Sequence, residues 1–166
     1  MMWTMSVARR EELAEIVAIY NSTIASRQVT ADLHPVSVAQ RETWFDTHQS
    51  EKRPLYAVHD KVSGCLVAWG SFSDYYPRAA YQRTAEISIY VHENWRGKGL
   101  GEWILREMMQ RAPTLGIHKI AAVIFAHNVA SIALFRKLGY EQWGLLPEVC
   151  ELDGKLADVI ILGVSV

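Results

Sequence analysis

Residues 87–108 of the chain have the sequence ISIYVHENWRGKGLGEWILREM. The apolar run Ile87–Val91 is typical of a β-strand, and the residues after the last glycine continue as a helix. Between them, the glycine-rich turn Arg96–Gly101 lets the backbone bend tightly and brings successive N–H groups to the start of that helix. Such N–H groups bind phosphate oxygens, and Arg96 and Lys98 add positive charge. The stretch predicts a strand, an anion-binding turn and a helix, although an ordinary strand-to-helix turn can carry similar glycines.

Three phosphate-binding motifs compete for this turn, and residue spacing separates them. A P-loop requires GxxxxGK[ST], and the lysine and the hydroxyl do not occur in that order here. A dinucleotide fingerprint requires GxGxxG, but the sixth position counted from Gly97 is Glu102, and no acid for a ribose follows the next strand. The spacing that remains is [Arg/Gln]xxGx[Gly/Ala], in which the fixed positions are Arg96, Gly99 and Gly101.

The rest of the chain predicts a single α/β domain over residues 1–166, because strand-like and helix-like runs alternate without a repeat or a linker. Ser37 and Asn128 are expected to cap helices. The predicted strands are Met1–Val7, Pro54–His59, Cys65–Phe72, Thr84–His92, Lys119–Phe125, Tyr140–Leu146 and Ala157–Val164. The predicted helices are Glu11–Ala25, Val38–His48, a helix from the glycine turn to about Ala112, and Val129–Leu138.

The composition excludes several classes of partner. With 17 Lys+Arg against 18 Asp+Glu, the 166-residue chain has a net charge of −1, so no bulk electrostatic attraction to nucleic acid or to an anionic membrane is expected. The longest apolar runs fall far short of the roughly 20 residues of a membrane helix. Residues 1–10 lack the apolar core of a signal peptide. Cytoplasmic localisation is expected.

The cysteines and histidines do not predict a metal or a covalent route. Cys65 and Cys150 have no CxxC or similar spacing and no histidine nearby in the sequence, so each is expected to be a free, small buried side chain. The histidines show no HxxxH pattern, and no metal site is expected.

A second motif supports the anion-binding turn. The run Asn128–Tyr140 fits N-x-x-S-x-x-L-[FYH]-x-x-L-G-[FY], about thirty residues after the turn. With both motifs in this order, the chain resembles the GNAT superfamily of N-acetyltransferases, in which the glycine turn binds the pyrophosphate of acetyl-coenzyme A (acetyl-CoA). This resemblance implies a mixed, twisted central sheet flanked by helices.

Other short stretches resemble one branch of that superfamily, the phosphinothricin and methionine sulfoximine acetyltransferases. They are Ile19-Tyr20-Asn21, Arg78-Ala79-Ala80-Tyr81, Thr84-Ala85-Glu86, and Asp153-Gly154-Lys155 with Asp158. The branch acetylates the amine of small amino-acid-like substrates, and dimers are usual in it. The resemblance therefore implies a small amine substrate and a homodimer, and the exposed aromatic residues expected in Ser73–Tyr81 place that loop near the subunit boundary.

The resemblance also assigns residues to the two ligands. The implied acetyl-CoA contacts are Ile89, Tyr90 and Val91, through main-chain groups, the turn residues Arg96, Gly97, Lys98, Gly99, Leu100 and Gly101, and the helix residues Asn128, Ser131 and Lys137. For Lys137 a purely solvated position is an equal alternative. The implied substrate contacts are Arg78, Ala79, Ala80, Tyr81, Ser88 and Tyr90, with Arg78 as the group that can grip a carboxylate.

Acetyl transfer to an amine needs a base, and Glu86 is the candidate because this residue has that role in the branch. His127 is the second candidate. Phe135 occupies the position of the superfamily's tyrosine acid and of the branch's histidine; since phenylalanine cannot donate a proton, the general acid is unassigned. Two alternative functions stay open, a peptide or protein N-terminal acetyltransferase and a non-catalytic acyl-CoA sensor.

Overall fold

The computed structural model describes residues 2–166, which are organised by one seven-stranded β-sheet. The strands are β1 (Trp3–Val7), β2 (Leu55–Asp60), β3 (Leu66–Asp74), β4 (Thr84–Val91), β5 (Lys119–Phe125), β6 (Glu141–Leu152) and β7 (Lys155–Ser165). The α-helices are α1 (Leu13–Ile24), α2 (Val38–Thr47), α3 (Leu100–Arg111) and α4 (Val129–Lys137). The strand order is β1-β2-β3-β4-β5-β7-β6, and every neighbouring pair is antiparallel except β4 and β5. The expected mixed sheet flanked by helices is confirmed.

The sequence signals located most elements to within about two residues. Ser37 caps α2 as predicted, because its hydroxyl accepts the Gln40 N–H at 3.1 Å and the Gln40 side chain accepts the Ser37 N–H at 2.8 Å. The predicted strand Met1–Val7 is observed from Trp3, and Met1 lies outside the described residues.

The prediction for the end of strand β6 was wrong. The strand was expected to stop at Leu146 but continues to Leu152, with an irregular register between Leu146 and Cys150. At this bulge Glu148 has a left-handed backbone (φ 51°), and its N–H donates to the Asp158 carboxylate of β7 at 2.8 Å. The bulge breaks the alternation that marks a strand, so the sequence pattern ended too early.

Helices cover both faces of the sheet, and each face has its own apolar core. On one face, α1 and α2 pack on β2 and β3 around residues such as Ile16, Phe45 and Trp69. On the other face, α3 and α4 pack on the sheet around Ile104, Met108 and Phe135, among others. The central strands β2 and β3 are therefore buried on both sides, which leaves the ends and gaps of the sheet open to a ligand.

Such a gap separates β4 from β5. The two strands pair in parallel only where Thr84, Ala85 and Glu86 lie opposite Lys119, Ile120 and Ala121. Beyond Glu86, β4 keeps its full pairing with β3, while β5 pairs along its whole length with β7. The sheet therefore divides at this point into two parts, β1–β4 and β5–β7.

The fold bears on two expectations, one about membrane-spanning helices and one about the burial of the cysteines. No helix within residues 2–166 is long and apolar enough to cross a membrane. Both cysteines are free thiols, but Cys65 is exposed in the β2–β3 turn and Cys150 is only partly buried, so the expectation that both are buried was wrong. Cys65 is exposed because it lies in the turn, one residue before β3 begins at the buried Leu66.

Candidate active site

A cavity of about 530 Å³ fills the gap between β4 and β5. This volume is within the range of small-molecule sites in proteins. The predicted site residues that line it are Glu86, Ser88, Ile89, Tyr90, Val91, Arg96, Gly97, Gly99, Leu100, Gly101, Asn128 and Ser131. The predicted site residues outside the lining are Arg78, Ala79, Ala80, Tyr81, Lys98 and Lys137.

The main chain of β4 directs donors and acceptors toward this cavity. The N–H of His92 donates to the Val67 carbonyl at 2.9 Å, which fixes the alternation of the β3–β4 ladder. Even-numbered residues of β4 therefore bond to β3, and odd-numbered residues direct their N–H and C=O groups toward β5. Past Glu86, where β5 has diverged, the main chains of Ile87, Ile89 and Val91 face the gap.

The expectation that Tyr90 contacts acetyl-CoA through its main chain does not agree with this alternation. Its main chain belongs to the β3 ladder, and its side chain stacks on Trp69, with ring centroids 4.6 Å apart. The Tyr20 ring meets it edge-on at 5.1 Å. Burial raises the pKa of the Tyr90 hydroxyl, so the phenol stays neutral. Glu86 and Ser88 lie on the same face of β4 as this ring, because side chains alternate along a strand.

The glycine turn forms a cradle at the far end of β4. Gly97 and Gly99 have left-handed backbones (φ 73° and 81°), and a Cβ built on either would meet no atom within 4 Å. Gly99 is the N-cap residue of α3, so the first N–H groups of that helix are open to a ligand. Both glycines line the cavity, and their open space suits an anion held by backbone N–H groups.

Charged side chains around the cradle are arranged to tolerate an anion. Arg96 is exposed, and its Nε donates weakly to the Val91 carbonyl at 3.4 Å. Lys98 lies with its Nζ 4.7 Å from the centre of the Trp95 ring. The acid in the first turn of α3, Glu102, is paired with Lys137 at 3.0 Å and with Arg106 at 2.9 Å. These cations lower the pKa of Glu102 and offset its negative charge, and Lys137 is engaged in this pair.

The start of α4 contributes the opposite wall. Asn128 caps the helix as predicted, since its Oδ1 accepts the Ser131 N–H at 3.2 Å. The Asn128 amide also donates to the Gln28 carbonyl at 3.0 Å. Phe135, the buried residue of α4, lines the cavity and meets the Tyr140 ring edge-on at 4.8 Å. The position at which the superfamily has a tyrosine acid therefore carries an apolar ring in this protein.

Sequence reasoning missed the loop that follows α1. Its residues Gln28, Val29, Thr30 and Ala31 line the cavity. Arg27, with φ 56°, holds this loop in place by donating from two nitrogens to the Asp153 carboxylate in the β6–β7 turn, at 2.9 and 3.2 Å. Only the DGK stretch signalled the turn, and no signal in the sequence joined it to residues 126 positions earlier.

Glu86 is a half-buried carboxylate at the point where the two strands separate. It lines the cavity and has no hydrogen-bond or ion-pair partner within residues 2–166. Burial raises the pKa of the Glu86 carboxyl above its ordinary value, because the charged form loses water that nothing replaces. A carboxylate in this state can accept a proton from a cationic ligand, which is the property of a general base.

His127, the second candidate base, has a structural contact. Its Nε2 lies 2.8 Å from the Arg27 carbonyl, and since a carbonyl can only accept, this nitrogen carries the hydrogen. The ring stacks on Phe125, with centroids 5.1 Å apart. His127 is not one of the residues that line the cavity. The geometry favours Glu86.

The aromatic loop with Arg78 lies beside the Glu86 end of β4, outside the cavity lining. Arg53 holds the loop at its base, donating to the Asp74 carboxylate and to the Gln82 carbonyl, both at 2.8 Å. The Arg78 side chain is exposed and makes no ion pair with any described residue. Its guanidinium is therefore free to bind an anion.

No cluster of three or more histidine, cysteine or acidic side chains that could hold a metal occurs among residues 2–166. The groups that the cavity does offer are the backbone N–H groups of β4, the glycine cradle at the start of α3 and the unpartnered Glu86 carboxylate. These groups suit a phosphate-bearing ligand and a proton transfer.

The chain is similar to proteins of known sequence. The pattern described as "Acetyltransferase (GNAT) family" matches residues 16–140. YwnH of Bacillus subtilis (strain 168), a phosphinothricin acetyltransferase-like protein, is 50% identical over 160 residues, which cover 96% of this chain and 97% of YwnH. The L-methionine sulfoximine/L-methionine sulfone acetyltransferase of Pseudomonas aeruginosa is 34% identical over 151 residues, which cover 91% of this chain and 87% of the relative.

A solved structure shows the same fold. The GNAT superfamily phosphinothricin acetyltransferase of Sinorhizobium meliloti, crystallised in complex with AcCoA, superposes with a TM-score of 0.93 at 30% identity. The superposition covers 100% of this chain and 89% of that chain. With the family pattern spanning most of the sequence and relatives matched over nearly their full length, the chain belongs to the acetyltransferase (GNAT) family.

Proposed function

We propose that the protein transfers the acetyl group of acetyl-CoA to the primary amine of a small amino acid or amino-acid analogue, with Glu86 as general base. The observation that carries this proposal is the cavity between β4 and β5, which has the glycine cradle at one end and an unpartnered carboxylate at the other. Along the strand, Glu86 and Val91 are roughly 16 Å apart. This length suits an extended cofactor arm between phosphates and a reacting thioester.

Different residues along β4 and the two helices are proposed to bind different parts of acetyl-CoA. The cradle of Gly97, Gly99 and the α3 N-terminus binds the pyrophosphate. The N–H groups of Ile87, Ile89 and Val91 hold the pantetheine arm and polarise the thioester carbonyl, which becomes an oxyanion when the amine attacks. Ser131 and Asn128 face the arm from α4.

Glu86 acts on the amine. A free amino acid is mostly an ammonium ion at neutral pH, and only the neutral amine has a lone pair for attack. Glu86 takes the proton, directly or through a water, the nitrogen attacks the thioester carbon, and the C–S bond breaks. Because a thiol with a pKa near 8.5 leaves readily as a thiolate, the reaction does not require a donor in place of Phe135.

The comparisons support both ligands. The relative from Sinorhizobium meliloti was crystallised with AcCoA, and acetyl-CoA is the co-substrate proposed for this chain. The Pseudomonas aeruginosa relative is named for L-methionine sulfoximine and L-methionine sulfone, which are small amino-acid analogues. A screen of these compounds, other amino acids, polyamines and peptides with acetyl-CoA, read by release of free thiol, tests the substrate class. Preference for peptides would favour the N-terminal acetyltransferase alternative.

Arg78 is expected to bind the carboxylate of the substrate. Arg78→Lys keeps the charge but loses the planar, two-pronged contact, so binding of the amino acid should weaken by about 1–3 kcal/mol. The KM for acetyl-CoA should not change. Arg83→Lys, at an exposed position between this loop and β4, is the matched control.

Esterification of the substrate provides the complementary experiment. Esterifying the carboxylate of the best substrate should reproduce the effect of Arg78→Lys, and the two losses should not add, because each removes the same contact. If the ester reacts as well as the free acid, Arg78 does not bind a carboxylate, and a polyamine or peptide acceptor becomes the better proposal.

A homodimer is proposed in which the loop Ser73–Tyr81 lies near the subunit boundary. Tyr76 and Tyr81 are 50% and 44% exposed, and their ring centroids lie 5.2 Å apart, which supports a continuous aromatic patch. Light scattering at micromolar concentration should give the mass of a dimer, and Tyr76→Ser with Tyr81→Ser should lower it. A wild-type monomer would contradict the proposal. Loss of the dimer only with Leu145→Ser, on the exposed side of β6, would move the boundary there.

The protein is proposed to act in the cytoplasm. Both of its cysteines are free thiols, and a reducing compartment keeps exposed thiols such as Cys65 in that state.

A further inference from the structure

His48 is a buried histidine with a defined hydrogen-bonding state. The ring lies just beyond α2, is 7% exposed, and has its Nδ1 2.7 Å from the Trp44 carbonyl. Because a carbonyl only accepts, Nδ1 carries a hydrogen. In the neutral ring Nε2 is then bare, and it lies 2.9 Å from the Ser73 hydroxyl. The hydroxyl of Ser73 therefore donates a hydrogen bond to His48 Nε2.

The surroundings keep His48 neutral. Burial lowers the pKa of its ring, because the imidazolium would lose its water. The Trp44 carbonyl acts in the opposite direction, and the nearby charges oppose each other, with Arg41 of α2 lowering the pKa and Asp74 of β3 raising it. With its only proton committed to a neutral ring, the Ser73 oxygen offers only lone pairs to any further partner.

Ser73 lies directly opposite Glu86 in the β3–β4 ladder. Side chains at opposed positions point to the same face with Cβ atoms about 4.5–5.5 Å apart. The stacked pair Trp69 and Tyr90 lies on the same face, four residues farther along each strand. Ser73 lies outside the cavity lining but is only partly buried, so a ligand that extends beyond the cavity past Glu86 has access to this position of β3. The two strands thus present a carboxylate and an acceptor-only hydroxyl side by side.

We propose that Ser73 is a second acceptor for the substrate amine beside Glu86, and that His48 is the positioning residue that holds the hydroxyl in its accepting state. This inference rests on the proposed function. Glu86 removes one proton from the ammonium, and Ser73 accepts a hydrogen bond from an N–H that stays on nitrogen. No proton passes to Ser73 or His48.

The accepting state matters because a neutral amine has one lone pair. A hydroxyl that was free to donate would hydrogen-bond to that lone pair and compete with attack on the thioester. A hydroxyl that can only accept binds an N–H instead, and this leaves the lone pair free. Ser73 and His48 together therefore orient the bound amine so that its lone pair stays free to attack the thioester.

Two variants of nearly equal shape test the role of Ser73. Ser73→Thr keeps the hydroxyl, whereas Ser73→Val replaces it with a methyl group. At saturating acetyl-CoA, Ser73→Val should raise the KM for the amino acid roughly tenfold or more, and Ser73→Thr should stay within about threefold of the wild type. The KM for acetyl-CoA should be unchanged in both. Thr47→Val, which removes the exposed hydroxyl on the Nδ1 side of His48, is the matched control and should behave as the wild type.

His48→Phe tests the coupling. It should cause a loss similar to that of Ser73→Val, and the double variant should lose no more than either single one, because both remove the same accepting state. If His48→Phe fails to fold, the Ser73 variants decide alone.

The outcomes separate this inference from the proposed function. A normal amine KM for Ser73→Val, or equal impairment of the Thr and Val variants, overturns the role of Ser73 while the wild type still acetylates amines. A wild type that acetylates no amine overturns the proposed function and this inference with it.

Discussion

Replacement of Glu86 by glutamine is expected to lower turnover about 100-fold or more, because the amide keeps the shape of the side chain but cannot accept a proton. Acetyl-CoA binding should persist, since the glycine cradle lies at the other end of β4. Steady-state assays with the best amine, together with calorimetry of acetyl-CoA binding, measure the two effects separately. Glu151→Gln, on the exposed edge strand β6, is the matched control.

The pH dependence distinguishes a base from a positioning group. Burial raises the pKa of Glu86, so the accepting carboxylate is present above that raised pKa and is lost as the pH falls through it. The wild type should therefore show an acid limb of kcat/KM above the ordinary glutamate value of about 4.3, and the variant should lack it. Recovery of the variant above the pKa of the substrate amine, where no proton need be removed, would support the base role. An equal loss at every pH would show that Glu86 only positions the substrate.

Gly99→Val is expected to raise the KM for acetyl-CoA well over tenfold, a loss of more than about 1.4 kcal/mol. The added side chain would enter the open space in front of the α3 N-terminus, where a phosphate must approach the N–H groups. Valine also rarely adopts the φ of 81° found at this position, so the turn itself would be strained.

Gly64→Val separates these two causes. Gly64 has a φ of 74° and equally open surroundings, but it lies in the β2–β3 turn, outside the cavity lining. Both variants should lose similar stability to thermal unfolding, and only Gly99→Val should lose acetyl-CoA. An unchanged affinity for acetyl-CoA in folded Gly99→Val would contradict the cradle assignment.

Local signals predicted the parts of the site that lie close together in the sequence. The glycines of residues 97–101 dictate the turn at the start of α3, and Asn128 dictates the start of α4, because each acts through the backbone next to it. The apolar run of β4 likewise gave the strand that carries Glu86. These features required no knowledge of the tertiary fold.

Contacts between distant segments were not predictable in this way. Whether the main chain of Tyr90 faces β3 or the gap depends on the register of the ladder, which the sequence of β4 alone does not contain. The loop after α1 reaches the cavity because Arg27 pairs with Asp153, and Ser73 acquires its accepting state from His48. Each of these pairings joins residues whose local sequence carries no signal of the partner.

A single-turnover experiment tests whether the cavity holds acetyl-CoA and an amino acid together for direct transfer. The protein in excess would be mixed with acetyl-CoA labelled in the acetyl carbonyl and with L-methionine sulfone, and the label followed by NMR. The label is expected to move from the thioester to an amide of the amino acid, with free thiol released in equal amount. Acetyl-CoA that stays bound and intact beside every amine tested would contradict direct transfer and identify a non-catalytic sensor.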